Sequence, residues 1–341
     1  MEGVEANKTF PILLPDNLYD CLRQLGHVIY YPNPGNLGDE LIAASTVLLF
    51  ERLGISFEIY QEDRDYGDAY TLVYGGGGVM VPEWGHIPRL IQLFSAPGLS
   101  RCVILPHSMR HCDELLAVMD ARFTVFCREA ESLSYCQKTN HCARFELAHD
   151  MAFYISPLML PRREDMLAQL PPPNMVSRLL EALGLLWNGR RKLLCKFYRK
   201  TFARMQKLLP KNIVSLNDGR KAAFFLRCDR EKNENVRTLL HRVPTMDLSR
   251  LGGSDCRWHA FNLLGVLQMQ YAIQAVDLIV TDRLHVAISA AMLGRECIML
   301  DNTYRKLSGV YKQSMRGMPG ITLCSSSEET SRILLPLLAS L

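Results

Sequence analysis

The chain has 341 residues, 48% of them hydrophobic and 22% charged, a balance that excludes wholesale disorder and fibrous or low-complexity classes. A formal charge of only +4 does not announce a nucleic-acid binder, which would need a concentrated basic face. Its eleven cysteines have neither C-x-x-C nor metal-ligand spacing, and an odd number leaves one thiol over in any disulfide scheme. Free thiols in a reducing cytosol, and no metal site, are therefore expected.

Met1 to Phe10 carry acids and lack an apolar h-region, so they do not read as a secretory signal. From His27 onward, short apolar runs predict strands at 27–31, 55–60, 70–74, 102–105, 123–127 and 145–148. Between them lie helical patterns. The clearest is 39–53, where Leu41, Ala44, Leu48 and residues 50–53 form an apolar face and Gly54 closes the helix. Such strand-helix alternation argues a parallel, doubly wound sheet.

The rhythm breaks at Pro161 with acids and the run Pro171-Pro172-Pro173. A stretch without acids follows between Ala182 and Asn217, carrying Arg190, Arg191, Lys192, Lys196, Arg199, Lys200, Arg204, Lys207 and Lys211 among apolar and aromatic residues. One reading is a solvated helix that packs its apolar face on the protein. The other is attachment to an anionic membrane surface through 182–217, which would place a cytoplasmic protein at the inner face of the membrane. Nucleic acid accounts for it less well, because the rest of the chain supplies no recognised module for one.

The alternation resumes with a strand at 222–226, a helix from about 258 to 276, a strand at 278–281, a helix over 284–293 ended by Gly294, and a strand at 297–300. Polar His259, Asn262, Gln268, Gln270 and Gln274 make 258–276 a buried helix and not a membrane span. Ser325 and Glu328 have capping-box spacing ahead of a tail helix. The expected division is an α/β domain over 1–160, a linker with the basic insert over 161–215, and an α/β domain over 216–341.

Polar residues collect where strands end, which is where open α/β sheets bind ligands. After the first strand come Asn36, Gly38 and Asp39, which also fit a plain turn with Asp39 as N-cap. Gly75 to Gly78 offer backbone amides to a phosphate or sugar, but G-x-G-x-x-G spacing fails and no G-K-[ST] makes a P-loop. His107 and Ser108 end another strand. Arg128 and Glu129 end the next, and Arg128 suits an anion or an ion pair with Glu129 or Glu131.

The sharpest constellation is Thr281-Asp282-Arg283-Leu284-His285 at a strand-to-helix junction. Free amides and the helix dipole favour an anion there, and Arg283 adds a bidentate fork. A cation at an exposed helix start is unfavourable alone, so a ligand explains Arg283 better than folding does. The bland alternative pairs Arg283 with Asp282 and places His285 in the core.

Asn36-x-Gly38-Asp39, the run from Tyr74 to Gly78, Arg128-Glu129 with Ser132, Asp150, Asp282-Arg283-Leu284-His285, Gly294 and Asp301-Asn302-x-Tyr304-x-Lys306 resemble, in order and spacing, the polysaccharide pyruvyl transferase family. The resemblance implies two Rossmann-like, doubly wound domains arranged as in GT-B glycosyltransferases, with the active site in the inter-domain cleft. It also implies transfer of pyruvate from phosphoenolpyruvate to a sugar diol, as a cyclic ketal, in exopolysaccharide, capsule or cell-wall polysaccharide biosynthesis. Phosphoenolpyruvate is then a substrate, and no cofactor is called for.

On this basis the donor falls on Arg227, Arg283, Leu284, His285 and Lys306, with Arg230 as the alternative to Arg227. His285 and Arg283 are the expected catalytic pair. The acceptor, a free or lipid-linked saccharide, falls on Asn36, Gly38, Asp39, Gly76, Gly77, Gly78, His107, Ser108, Arg128 and Glu129, which makes the N-terminal domain the acceptor side and the C-terminal domain the donor side. His107 stands where many relatives carry Gln, and the basic insert is not a general family feature. Competing readings are a GT-B glycosyltransferase using a nucleotide sugar and a non-catalytic glycan-binding protein.

Overall fold

A computed structural model describes residues 16–155, 200–229, 234–252, 255–301 and 306–341. The chain runs α1 (Asp16–Arg23), β1 (Val28–Tyr31), α2 (Leu37–Leu53), β2 (Phe57–Ile59), β3 (Tyr70–Tyr74), β4 (Gly77–Met80), α3 (Ile87–Phe94), β5 (Leu99–Met109), α4 (Asp113–Ala117), β6 (Phe123–Cys127), α5 (Ala130–Thr139) and β7 (Arg144–Leu147). These strands form one sheet in the order β2-β1-β3-β5-β6-β7, with β4 joining β5. All of its pairs are parallel.

A helix over 200–208 (α6) leads into β8 (Ile213–Ser215), β9 (Lys221–Phe225), α7 (Glu234–Leu239), α8 (His259–Gln274), β10 (Leu278–Thr281), α9 (Leu284–Met292), β11 (Glu296–Leu300), α10 (Lys306–Val310), β12 (Ile321–Cys324) and α11 (Ser327–Ala339). They build a second sheet, β12-β11-β10-β9-β8. Only β8 runs antiparallel to its neighbour. The unbroken apolar runs make sense here: all four residues of β10 are buried, as a strand covered on both faces requires.

Three strands escape the sequence pattern. β4 is built from the glycine run, which has no strand propensity of its own and is held by pairing to β5. β8 and β12 are short. Two helix starts also need correction. Asn36, not Asp39, caps α2: its side chain accepts from the Gly38 N–H at 2.8 Å while Asp39 reaches back to the Asn36 N–H at 2.8 Å. Likewise Ser326, not Ser325, caps α11 by accepting the Glu329 N–H at 3.1 Å, and the Glu329 carboxylate reaches back to the N–H and hydroxyl of Ser325 in place of the expected Ser325–Glu328 box.

Helix α2 is buried over most of its surface, Glu40, Ser45 and Thr46 included, because the cores of both sheets pack on it. Leu37, Leu41 and Ala44 share a core with Phe261, Leu264 and Ile288, whereas Ile42, Val47 and Phe50 share another with Tyr30, Val73 and Val103. Close approach of α8 depends on Gly265, where a methyl would overlap the Glu40 carboxylate and come within 2.7 Å of Leu37. In α8, Asn262 and Gln268 are buried. Among the described residues no helix is long and apolar enough to cross a membrane, and the ten described cysteines are free.

In the described end of the basic stretch, Phe202, Met205 and Leu209 join the core while Arg204, Lys207 and Lys211 are exposed. That is packing on the protein. The part bearing Arg190, Arg191, Lys192, Lys196 and Arg199 lies outside the described residues, as do Arg230 and residues 302–305.

Candidate active site

A pocket of about 120 Å³ opens where both sheets present the C-terminal ends of their parallel strands, large enough for a ligand and not just one water. Asn36, Gly38 and Asp39 enter from the start of α2, Gly78 from β4 and Arg128 from the end of β6. Arg227 enters after β9, and Asp282 to His285 enter where β10 turns into α9. Two helix N-termini thus meet at one cavity.

At the second sheet's end, Arg283 is the N-cap of α9 and is buried, in contrast to the exposed helix start expected. Its partners are also not Asp282, the pairing of the bland alternative. Nε and Nη2 grip Asp247 at 3.1 and 2.6 Å, and Nη2 lies 2.8 Å from Asp229. Burial pushes the Asp247 carboxyl up, but the Arg283 fork outweighs this and holds it below its ordinary range. Asp229 also reaches Arg227 Nε at 3.1 Å, so one carboxylate spans both arginines. Asp282 instead accepts the Arg227 N–H at 2.7 Å. Burial raises its carboxyl to about 6, against the opposing charges of Arg227 and Arg283.

At the first sheet's end lies a buried polar chain. Arg128 donates from Nη1 to Asp150 at 2.7 Å and from Nε to the Ser108 hydroxyl at 2.8 Å. Ser108 donates to Glu129 at 3.0 Å, and Ser132 donates to the other Glu129 oxygen. Arg128 therefore pairs chiefly with Asp150, with Glu129 further off at 3.7 Å. Burial raises the Glu129 carboxyl despite Arg128 and the two hydroxyls. Asp39 is likewise raised by burial, with His285 and the Asn36 N–H opposing.

His285 belongs to α9 but packs against α2, because Gly38 has no side chain: a methyl there would overlap the imidazole Nδ1. Its Nε2 lies 3.6 Å from Asp150. Burial pushes the Asp150 carboxyl up, yet the neighbouring His285 and Arg128 more than offset it and hold the group well below the usual carboxylate range.

Of the residues expected at the site, Asn36, Gly38, Asp39, Gly78, Arg128, Arg227, Arg283, Leu284 and His285 line the pocket. Gly76 and Gly77 sit behind it, Gly76 pressed against the Pro106 carbonyl. His107 is a buried support whose Nε2 accepts the Val79 N–H at 3.2 Å. Ser108 and Glu129 act through Arg128, and only the backbone of Lys306 is described. Sequence reasoning missed Asp247, Asp229, Ser249 and Trp84. No motif flanks them, whereas Asp150 and Asp282 could have been chosen from their places after β7 and β10. Among the described residues no group of three His, Cys, Asp or Glu is placed to hold a metal ion.

No curated protein matches the chain. Among solved structures it is similar to a functionally uncharacterized protein of Klebsiella pneumoniae subsp. pneumoniae NTUH-K2044, with TM-score 0.64 and 22% identity, covering 91% of this chain and 97% of that one. At that identity the likeness concerns the fold. The family model described as polysaccharide pyruvyl transferase matches residues 36–304.

Proposed function

The chain belongs to the polysaccharide pyruvyl transferase family, and from this premise we propose that it transfers the pyruvyl group of phosphoenolpyruvate to a sugar diol as a cyclic ketal. The observation that carries the reading is the convergence of Arg227, Arg283 and His285 on one pocket at the N-terminus of α9. Phosphoenolpyruvate bears about three negative charges near neutrality, so its site needs several preorganised donors. Two arginines and the dipole of α9 supply them. Asp247 keeps the Arg283 fork in place, while half-exposed Asp229 is the carboxylate an incoming anion would displace.

In the reaction, the enol methylene takes a proton and becomes the methyl group. One sugar hydroxyl adds to the neighbouring carbon and loses its proton, and the second hydroxyl closes the ring, its proton departing with the leaving phosphate. His285 is the acid/base group. Asn36, Gly38, Asp39, Gly78 and Arg128 face the acceptor. In this reading 1–160 forms an acceptor domain and 216–341 a donor domain, which the end of the 161–215 segment joins through α6 and β8, arranged as in GT-B enzymes around a cleft, and no cofactor takes part.

The test is incubation of the purified protein with phosphoenolpyruvate and candidate free or lipid-linked saccharides. Phosphate release matched by the mass gain of a pyruvate ketal is expected. Thermal stabilisation by nucleotide sugars but not by phosphoenolpyruvate would replace this reading with a glycosyltransferase.

A further inference from the structure

Asp150 follows β7 and is completely buried, an expensive place for a carboxylate unless its oxygens are occupied. Oδ1 accepts from the Ala152 N–H at 2.9 Å. Oδ2 accepts from Arg128 at 2.7 Å, and His285 Nε2 approaches the same oxygen at 3.6 Å. Arg128 is itself anchored by Ser108, so the carboxylate is not free to turn.

The imidazole has two unlike sides. Nε2 is buried without a hydrogen-bond partner, although 17% of the side chain is exposed and the residue lines the pocket. The exposed part must therefore be carried by the rest of the ring, whose Nδ1 edge abuts Gly38. A neutral imidazole carries one N–H, and a lone pair aimed at a buried carboxylate would be repelled. The nitrogen beside Asp150 is the one that holds the hydrogen.

Resting on the pyruvyl-transfer reading, we propose that Asp150 is a positioning residue, turning the Nε2–H of His285 toward its carboxylate and leaving Nδ1 to take the proton of the attacking sugar hydroxyl. As the carbon–oxygen bond forms, the hydroxyl O–H breaks and an Nδ1–H forms. The imidazolium so created stands beside Asp150, whose negative charge stabilises it, and hands this first proton to the enol methylene, which becomes the methyl group. Nδ1 then takes the proton of the second hydroxyl and passes it to the departing phosphate. The 3.6 Å separation is long for a hydrogen bond and shortens as that charge develops. Because Asp150 follows the first sheet and His285 belongs to the second, the pair exists only when the two are packed together.

Two measurements test this. Long-range proton–nitrogen correlation spectra of the wild-type protein labelled with 15N-histidine, with His285 assigned through His285→Gln, report the tautomer at alkaline pH, where an imidazole is neutral. The Nε2–H form is expected, and an Nδ1–H form overturns the proposal. For pyruvyl transfer, Asp150→Asn should lower kcat about 10²-fold with donor KM within about threefold, and Asp150→Glu should recover part of the loss. Asp150→Asn combined with His285→Gln should be no slower than His285→Gln alone; full multiplication of the two losses would show that Asp150 does not act through His285. The spectra need no substrate and no Asp150 variant. If wild-type protein transfers no pyruvyl group, the functional reading fails while the tautomer still judges the placement of the ring.

Discussion

At the scale of single residues, the arginine fork is held by the protein's own acids. Arg283→Ala should abolish donor binding and, because Asp247 would be left buried and unpaired, should also cost about 3–5 kcal/mol of stability. Adding Asp247→Asn should restore part of the melting temperature without restoring phosphoenolpyruvate affinity, as thermal denaturation and calorimetry would show. Asp282 gives a pH signature. Its carboxyl, raised to about 6 from about 3.9 in an unfolded chain, contributes stability that is complete below the lower value and lost as pH rises through the upper one. Over the same interval a negative charge develops beside Arg227 and Arg283, with Asp247 already ionised nearby. Donor KM should therefore rise between about pH 5 and 7 in the wild type, and Asp282→Asn should flatten the rise. Equal slopes in the two proteins would remove Asp282 from donor recognition. The Asp282-Arg283-Leu284-His285 segment was legible because it stands at a strand end. Asp247 was not, since it reaches Arg283 from 36 residues away in a stretch without a motif.

At the scale of elements, the start of α2 does two jobs. Asn36 and Asp39 close its first turn, and Asn36→Ala should cost about 1 kcal/mol in chemical denaturation. Gly38 makes room for His285. Gly38→Ala should gain a few tenths of a kcal/mol to about 1 kcal/mol in helix propensity, yet turnover should collapse because the methyl displaces the imidazole from Asp150. Unchanged kcat in that variant would mean that the ring position is unimportant. The helix itself was readable from its apolar pattern and Gly54, but its role was not: an apolar face alone does not say whether a helix packs on one sheet or between two.

At the scale of the whole molecule, the basic stretch bears on where the protein works. If the basic stretch, which includes Arg190, Arg191, Lys192 and Lys196, contacts lipid, the protein should co-sediment with anionic but not neutral vesicles. Salt and replacement of those four residues by Gln should weaken the binding, each basic residue near the surface contributing about 1 kcal/mol. Equal sedimentation with both vesicle types would defeat the membrane reading and leave pyruvyl transfer untouched. The described end of the stretch already spends Phe202, Met205 and Leu209 on the core, so those side chains are not available to insert into lipid, while Arg204, Lys207 and Lys211 are exposed.

By itself the sequence determined the strand-helix alternation, the strand ends where polar residues gather and the order of motifs, because these depend on periodicity and local backbone chemistry. Only the tertiary structure decided which of those polar residues share a pocket. It turned the glycine run into a strand, withdrew His107 behind the wall, gave Arg128 to Asp150 and set His285 of one sheet against Gly38 of the other. Those outcomes depend on packing between segments far apart in the chain, and no local pattern encodes the distance between them.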